Sequence, residues 1–144
     1  MQRRRIDGGF AVVLQRGAWV HDSLVQLARE ENLRAAFVTG LGASVETVLA
    51  FFDPEQKKYF ETPIHGPVEV ANLTGNIALV DGEPFAHLHA VIAGRDLVAR
   101  AGHLVAGRVS VTMELFVRDL GDAIVRELHD DIGLKLWQLD RAVR

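Results

Sequence analysis

The sequence predicts an α+β domain, a single compact unit with a mainly antiparallel sheet of about seven strands and one main helix. Three observations carry that prediction. Short apolar runs recur along the chain, several with the alternation of a half-buried strand. Turn-forming residues separate them at Asp53-Pro54-Glu55-Gln56, Asp81-Gly82 and Gly94-Arg95-Asp96, close enough for hairpins and so for antiparallel neighbours. Helical spacing of apolar residues is clear in one place, at Val20, Leu24, Leu27 and Ala28.

Each element follows from its residues. Phe10, Val12 and Leu14 alternate with Ala11, Val13 and Gln15, a first strand closed by Arg16-Gly17. The helix spans about residues 20–32. Ala35 to Thr39 is a buried strand that Gly40-Leu41-Gly42-Ala43 should end, and Val45 to Phe52 is another. Lys57 to Thr62 returns as its hairpin partner. Val68 to Leu73 and Gly75 to Val80 follow His65-Gly66-Pro67, and Phe85 to Ala93 follows the Asp81-Gly82 turn. Val109 to Val117 is a long strand with Thr112, Glu114 and Phe116 on one face. Ile124 to Leu128 is expected as a short helix and Leu134 to Leu139 as a last short strand. The limits are one domain over residues 6–140, preceded by a short basic tail at residues 1–5, where Arg3-Arg4-Arg5 should be solvated.

Size and composition permit such a domain. For 144 residues and 15.9 kDa, area scaling gives roughly 7,400 Å² folded against roughly 23,000 Å² unfolded, so about two thirds is buried. Hydrophobic residues are 49% and charged residues 24%, which excludes a disordered chain. The lack of cysteine excludes a disulfide scaffold, a thiol nucleophile and Cys-ligated zinc. With a net charge of −3 there is no whole-domain basic footprint for nucleic acid. No apolar run approaches a bilayer span. Asp7-Gly8-Gly9 stand where a signal peptide would place its apolar region. The expected compartment is the cytoplasm, with no membrane partner.

The chemistry concentrates in three histidines. His87 and His89 lie at i and i+2 of one strand, so their rings share a face while Leu88 enters the opposite side. A hairpin centred on Arg95 places His103 directly opposite His87. The candidate metal ligands are therefore His87, His89 and His103, with Glu114 as a possible fourth ligand or outer-shell acceptor. Three histidines with an open position suit zinc, although imidazole also suits copper, iron and nickel. The alternative function is a metal-dependent enzyme acting on a small molecule, with Glu114 or Asp96 as base. A metal or histidine network that only stabilises an assembly is a third reading. Ala90-Val91-Ile92-Ala93-Gly94 lacks the carboxylate that a cupin places after its His-x-His pair. Gly40-Leu41-Gly42-Ala43 lacks the remaining residues of a dinucleotide or P-loop motif, so tight packing explains it better.

The ordered set Gly75-Asn76-Ile77-Ala78-Leu79, Asp81 to His89, Gly102-His103-Leu104 and Val109 to Glu114 resembles the plants and prokaryotes conserved (PPC) domain. Gly40 to Ala43 and Arg126 to Leu134 fit the same pattern. The resemblance implies a PPC-like α/β fold around a mainly antiparallel sheet, and a homotrimer. It implies that His87, His89 and His103 bind a metal, with zinc the expected cofactor. In land plants the domain accompanies an AT-hook in DNA-binding proteins and mediates association. Here Arg3-Arg4-Arg5 lacks the Gly and Pro of a hook, so any DNA association is expected to be indirect or weak. A trimer also gives the apolar excess a destination: part of it, along Val45 to Phe52 and Val109 to Val117, should be buried between subunits.

Overall fold

Nine strands and one helix make up residues 1–140, the part of the chain that the computed structural model describes. In chain order they are β1 (Gln2–Ile6), β2 (Gly9–Gln15), α1 (Val20–Glu30), β3 (Ala36–Asp53), β4 (Lys58–Ile64), β5 (Val68–Val80), β6 (Glu83–Ala93), β7 (Ala99–Asp119), β8 (Val125–His129) and β9 (Leu134–Gln138). The α+β class and the mainly antiparallel sheet hold. The one parallel pairing among the described residues is a single bridge from Leu79 of β5 to Val125 of β8.

Four strands close on one another. β6 is hydrogen-bonded to β5 along one edge and to β7 along the other, and β3 also pairs with both β5 and β7. β2 and then β1 extend from β7, β4 from the far end of β3, and the β8–β9 hairpin from β5. The Asp81-Gly82 turn between β5 and β6 has positive φ at both residues, 53° and 85°. That is the backbone a two-residue hairpin needs to match strand twist.

α1 covers the inner face of the sheet, packing on β6 and β7. Its Val20, Leu24, Leu27 and Ala28 join Leu88, Ile92 and Leu104 in one apolar core. The helix stops earlier than residue 32 because Asn32 takes a left-handed φ of 54° and the Leu33 N–H donates back to Ala28 O at 2.8 Å. These are marks of a helix C-terminus that has turned out of register.

Four expectations need correction. Gly40 to Ala43 does not end a strand: β3 runs unbroken for 18 residues, with a bulge between Gly40 and Gly42. A Cβ at Gly40 would lie 2.2 Å from Glu114 O, and one at Gly42 would lie 2.4 Å from Thr112 O. The glycines therefore serve close backbone contact with β7. Gly75 likewise joins two expected strands into β5, because a Cβ there would lie 2.0 Å from His87 O. Residues 124–128 are not helical. From Val125 on they belong to strand β8, which gains a hydrogen-bonded partner in β9 that a five-residue helix would lack. Finally, the expected basic tail is largely strand β1 on the edge of β2, where Arg3 and Arg5 pair with Glu31 at 2.9 and 2.8 Å.

Gly75→Ala should lower stability by about 1–3 kcal/mol through overpacking, read as the urea unfolding midpoint. Gly94→Ala, where the nearest atom to a new Cβ is 3.6 Å away, should change stability by less than about 0.5 kcal/mol. Equal effects would show that the β5–β6 approach is not tight.

Candidate metal centre

β6 alternates strictly between core and outer face. Ala86, Leu88, Ala90 and Ile92 are buried, so the side chains of His87 and His89 emerge together on the other face. β7 then brings in His103, opposite His89 and not opposite His87 as expected. The reason is the loop. It turns about Asp96, with the Leu97 N–H donating to Gly94 O at 2.9 Å, Leu97 at φ 56°, and the Val98 N–H donating to Asp96 Oδ1 at 3.2 Å. The pairing has moved by two residues. An even shift keeps His103 on the same face.

The three rings converge. Their centroids lie 5.1 to 5.5 Å apart, and one nitrogen from each falls within 4.8 Å of the others. A common ion would require about 2.0–2.1 Å to each nitrogen, and these three rings would hold it. The His103 Nδ1 is buried with no hydrogen-bond partner. Burial pushes the His87 ring down to about 4, aided by the Arg126 guanidinium and the other two rings. Burial does the same to His103, followed by the effect of His89. Both rings are then neutral near pH 7, the form that ligates. The three can hold one metal ion, and such a three-histidine set leaves a further coordination position open to water or another oxygen ligand.

Neither expected carboxylate arrives. Glu114 stands eleven residues beyond His103 on β7, on the order of 30 Å along an extended strand. It is exposed, opposite Val13 of β2 and Leu41 of β3. Asp96 remains in the loop, bound to the Val98 N–H and to Arg100 at 3.3 Å. Among the described residues, the metal-competent group consists of the histidines alone.

Three neighbours of the rings were not among the candidate site residues, although Asn76 and Arg126 belong to the stretches that carry the family resemblance. Asn76 lies opposite His87, a pairing that the Asp81-Gly82 turn dictates and that counting outward from it would have found. Tyr59 on β4 places its ring 5.0 Å from that of His103. Arg126 on β8 donates from Nη2 to Asn76 Oδ1 at 2.9 Å and to His87 Nδ1 at 3.0 Å. Nothing local in the sequence points to Arg126, because it returns through a long connection and a single bridge. Because a guanidinium only donates, His87 Nδ1 accepts, and the proton of the neutral ring is on Nε2. Beside the rings is a cavity of about 480 Å³, lined by Tyr59, Phe85, His87, His103, Arg126 and Leu136 among others.

The sequence profile of the Plants and Prokaryotes Conserved (PCC) domain matches residues 1–121. The chain belongs to this family. It is similar to the crystal structure of a candidate DNA-binding protein from Bacteroides thetaiotaomicron, at 28% identity and a TM-score of 0.93, covering 97% of this chain and 98% of that one. It is similar to a plant- and prokaryote-conserved protein of Pyrococcus horikoshii at 28% identity and a TM-score of 0.85, covering 95% and 93%. It also resembles a metal-containing protein of Archaeoglobus fulgidus at 28% identity and a TM-score of 0.83, covering 90% and 92%. Curated proteins give no match. The profile match to the PCC family ends before β8, so the hairpin that carries Arg126 lies outside it.

The ring environments set a pH dependence. Both rings fall from the ordinary 6.5 to about 4 in the folded chain, so on acidification the unfolded chain takes up protons first. Stability from the neutral rings is complete above pH 6.5 and is lost as pH falls through about 4. The thermal midpoint of EDTA-treated protein should decline across that window, and less steeply in His103→Asn. Parallel declines would contradict the burial of these rings.

Proposed function

We propose that this PCC domain is a homotrimeric assembly module that holds zinc at His87, His89 and His103 and associates with DNA only through partners. The observation that carries the metal reading is the convergence of the His87, His89 and His103 rings, one nitrogen of each lying within 4.8 Å of the others. The absence of cysteine leaves histidine as the natural ligand for zinc. The similarity to a metal-containing archaeal protein agrees with it.

The trimer rests on surface. The chain exposes 8,730 Å², against roughly 7,400 Å² for a self-contained globule of this mass. On β3 and β7, Phe37, Leu41, Val111 and Phe116 are 44 to 69% exposed. Leu41 and Val111 line one shallow groove. Apolar exposure of that extent marks an interaction face. Phe51, at 68% exposed, adds a residue from the Val45 to Phe52 segment. For DNA, the relatives include candidate DNA-binding proteins. In this chain Arg3 and Arg5 are held by Glu30, the last residue of α1, and Glu31, its C-cap, so they do not form a free basic arm.

Elemental analysis and light scattering test this together. Purified protein should carry one zinc per chain and scatter as three times 15.9 kDa. His89→Ala should lose the zinc, and Phe116→Glu should lose the trimer. A folded wild-type chain that takes up no metal overturns the metal reading, and a monomeric wild-type chain overturns the assembly.

A further inference from the structure

We propose that the cavity beside the histidines binds a small carboxylate with an apolar body, its acid group held by Arg126. Arg126 is only 8% exposed, yet its guanidinium meets only neutral acceptors. Nη1 donates to Lys135 O at 2.9 Å, and Nη2 donates to Asn76 Oδ1 and His87 Nδ1. Nε is buried and has no acceptor. None of the ion pairs among the described residues involves Arg126. A buried cation without an opposite charge is costly, and an anion in the cavity relieves it.

The cavity defines the rest of the ligand. Its volume of about 480 Å³ is that of a small-molecule site. Phe85, Leu128, Leu134 and Leu136 make most of its wall apolar. Lys135 also lines it, but its ammonium is paired with Asp81 at 2.9 Å. One unpaired cation in an apolar wall fits a singly charged acid with a hydrocarbon body, and fits a phosphate dianion poorly.

The anion site stands on Arg126 and the cavity, whereas its coupling to zinc rests on the metal reading above. A neutral imidazole that ligates a metal through one nitrogen keeps its proton on the other. It then has no lone pair for Arg126. Ligation by His87 and the Arg126–His87 hydrogen bond therefore exclude each other, and metal binding frees an Nη2 donor for an anion. Zinc and carboxylate should each tighten the other by the same factor.

Isothermal titration of the full chain with hexanoate tests this. One hexanoate should bind per chain, and hexanamide, which has the same body without charge, should not compete. Arg126→Met should weaken binding at least about tenfold, as expected for loss of hydrogen bonds to a charged group. Leu136→Trp should do the same by filling the cavity while keeping the charge, and it carries the test if Arg126→Met does not fold. His89→Ala should still bind hexanoate but lose the enhancement by zinc, which separates this site from the metal reading. No hexanoate binding by folded wild-type protein, or unchanged binding in Leu136→Trp, overturns the site. Tighter binding of inorganic phosphate than of hexanoate overturns the carboxylate assignment.

Discussion

β6 is held by hydrogen bonds on both edges, to β5 and to β7, and its inner face is buried under α1. Because side chains alternate with a period of two, that burial permits one register parity. A slip by a single residue would drive His87 and His89 into the core and expose Leu88, Ala90 and Ile92. The rings are thus placed by the cost of exposing aliphatic side chains on the opposite face. Gly75 lets β5 approach the His87 carbonyl closely, and Gly102, beside His103, gives β7 similar room against the Ala50 carbonyl. The two-residue Asp81-Gly82 turn locks the β5 side.

Electrostatics follow from this placement. Three imidazoles and a guanidinium share a partly buried corner into which no described carboxylate projects. Burial, and after it the Arg126 guanidinium, makes a proton on His87 unwelcome, and burial followed by His89 does the same to His103. His87 and His103 are thus neutral near pH 7, and the three histidines together can hold a metal ion. The strained point is Arg126, which serves His87, Asn76 and Lys135 at once and still leaves Nε without an acceptor.

Much of this was legible in the chain. Alternation along Phe85 to Ala93 gives the shared face of the two histidines, and turn residues give the hairpins. The position of His103 was legible to within two residues, because a five-residue loop and a three-residue loop differ in centre but not in the face they select. What stayed hidden depends on contacts distant in sequence. Glycine at 40 and 42 reads locally as a break, but it is required by carbonyls of β7, far along the chain, and Gly75 is required by the His87 carbonyl of its hairpin partner. Residues 124–128 are too few to declare helix or strand without their partner β9. Arg3 and Arg5 look like a solvated run until the C-terminal end of α1 supplies Glu30 and Glu31.

If one metal ion sits among the rings of His87, His89 and His103, a crystal structure with anomalous data at the zinc edge should show it. One strong peak per chain is expected, about 2.0–2.1 Å from one nitrogen of each of the three rings, with Arg126 turned away from His87. A zinc-supplemented crystal with no peak between the rings, or with His87 still accepting from Arg126 while a peak sits there, would contradict it.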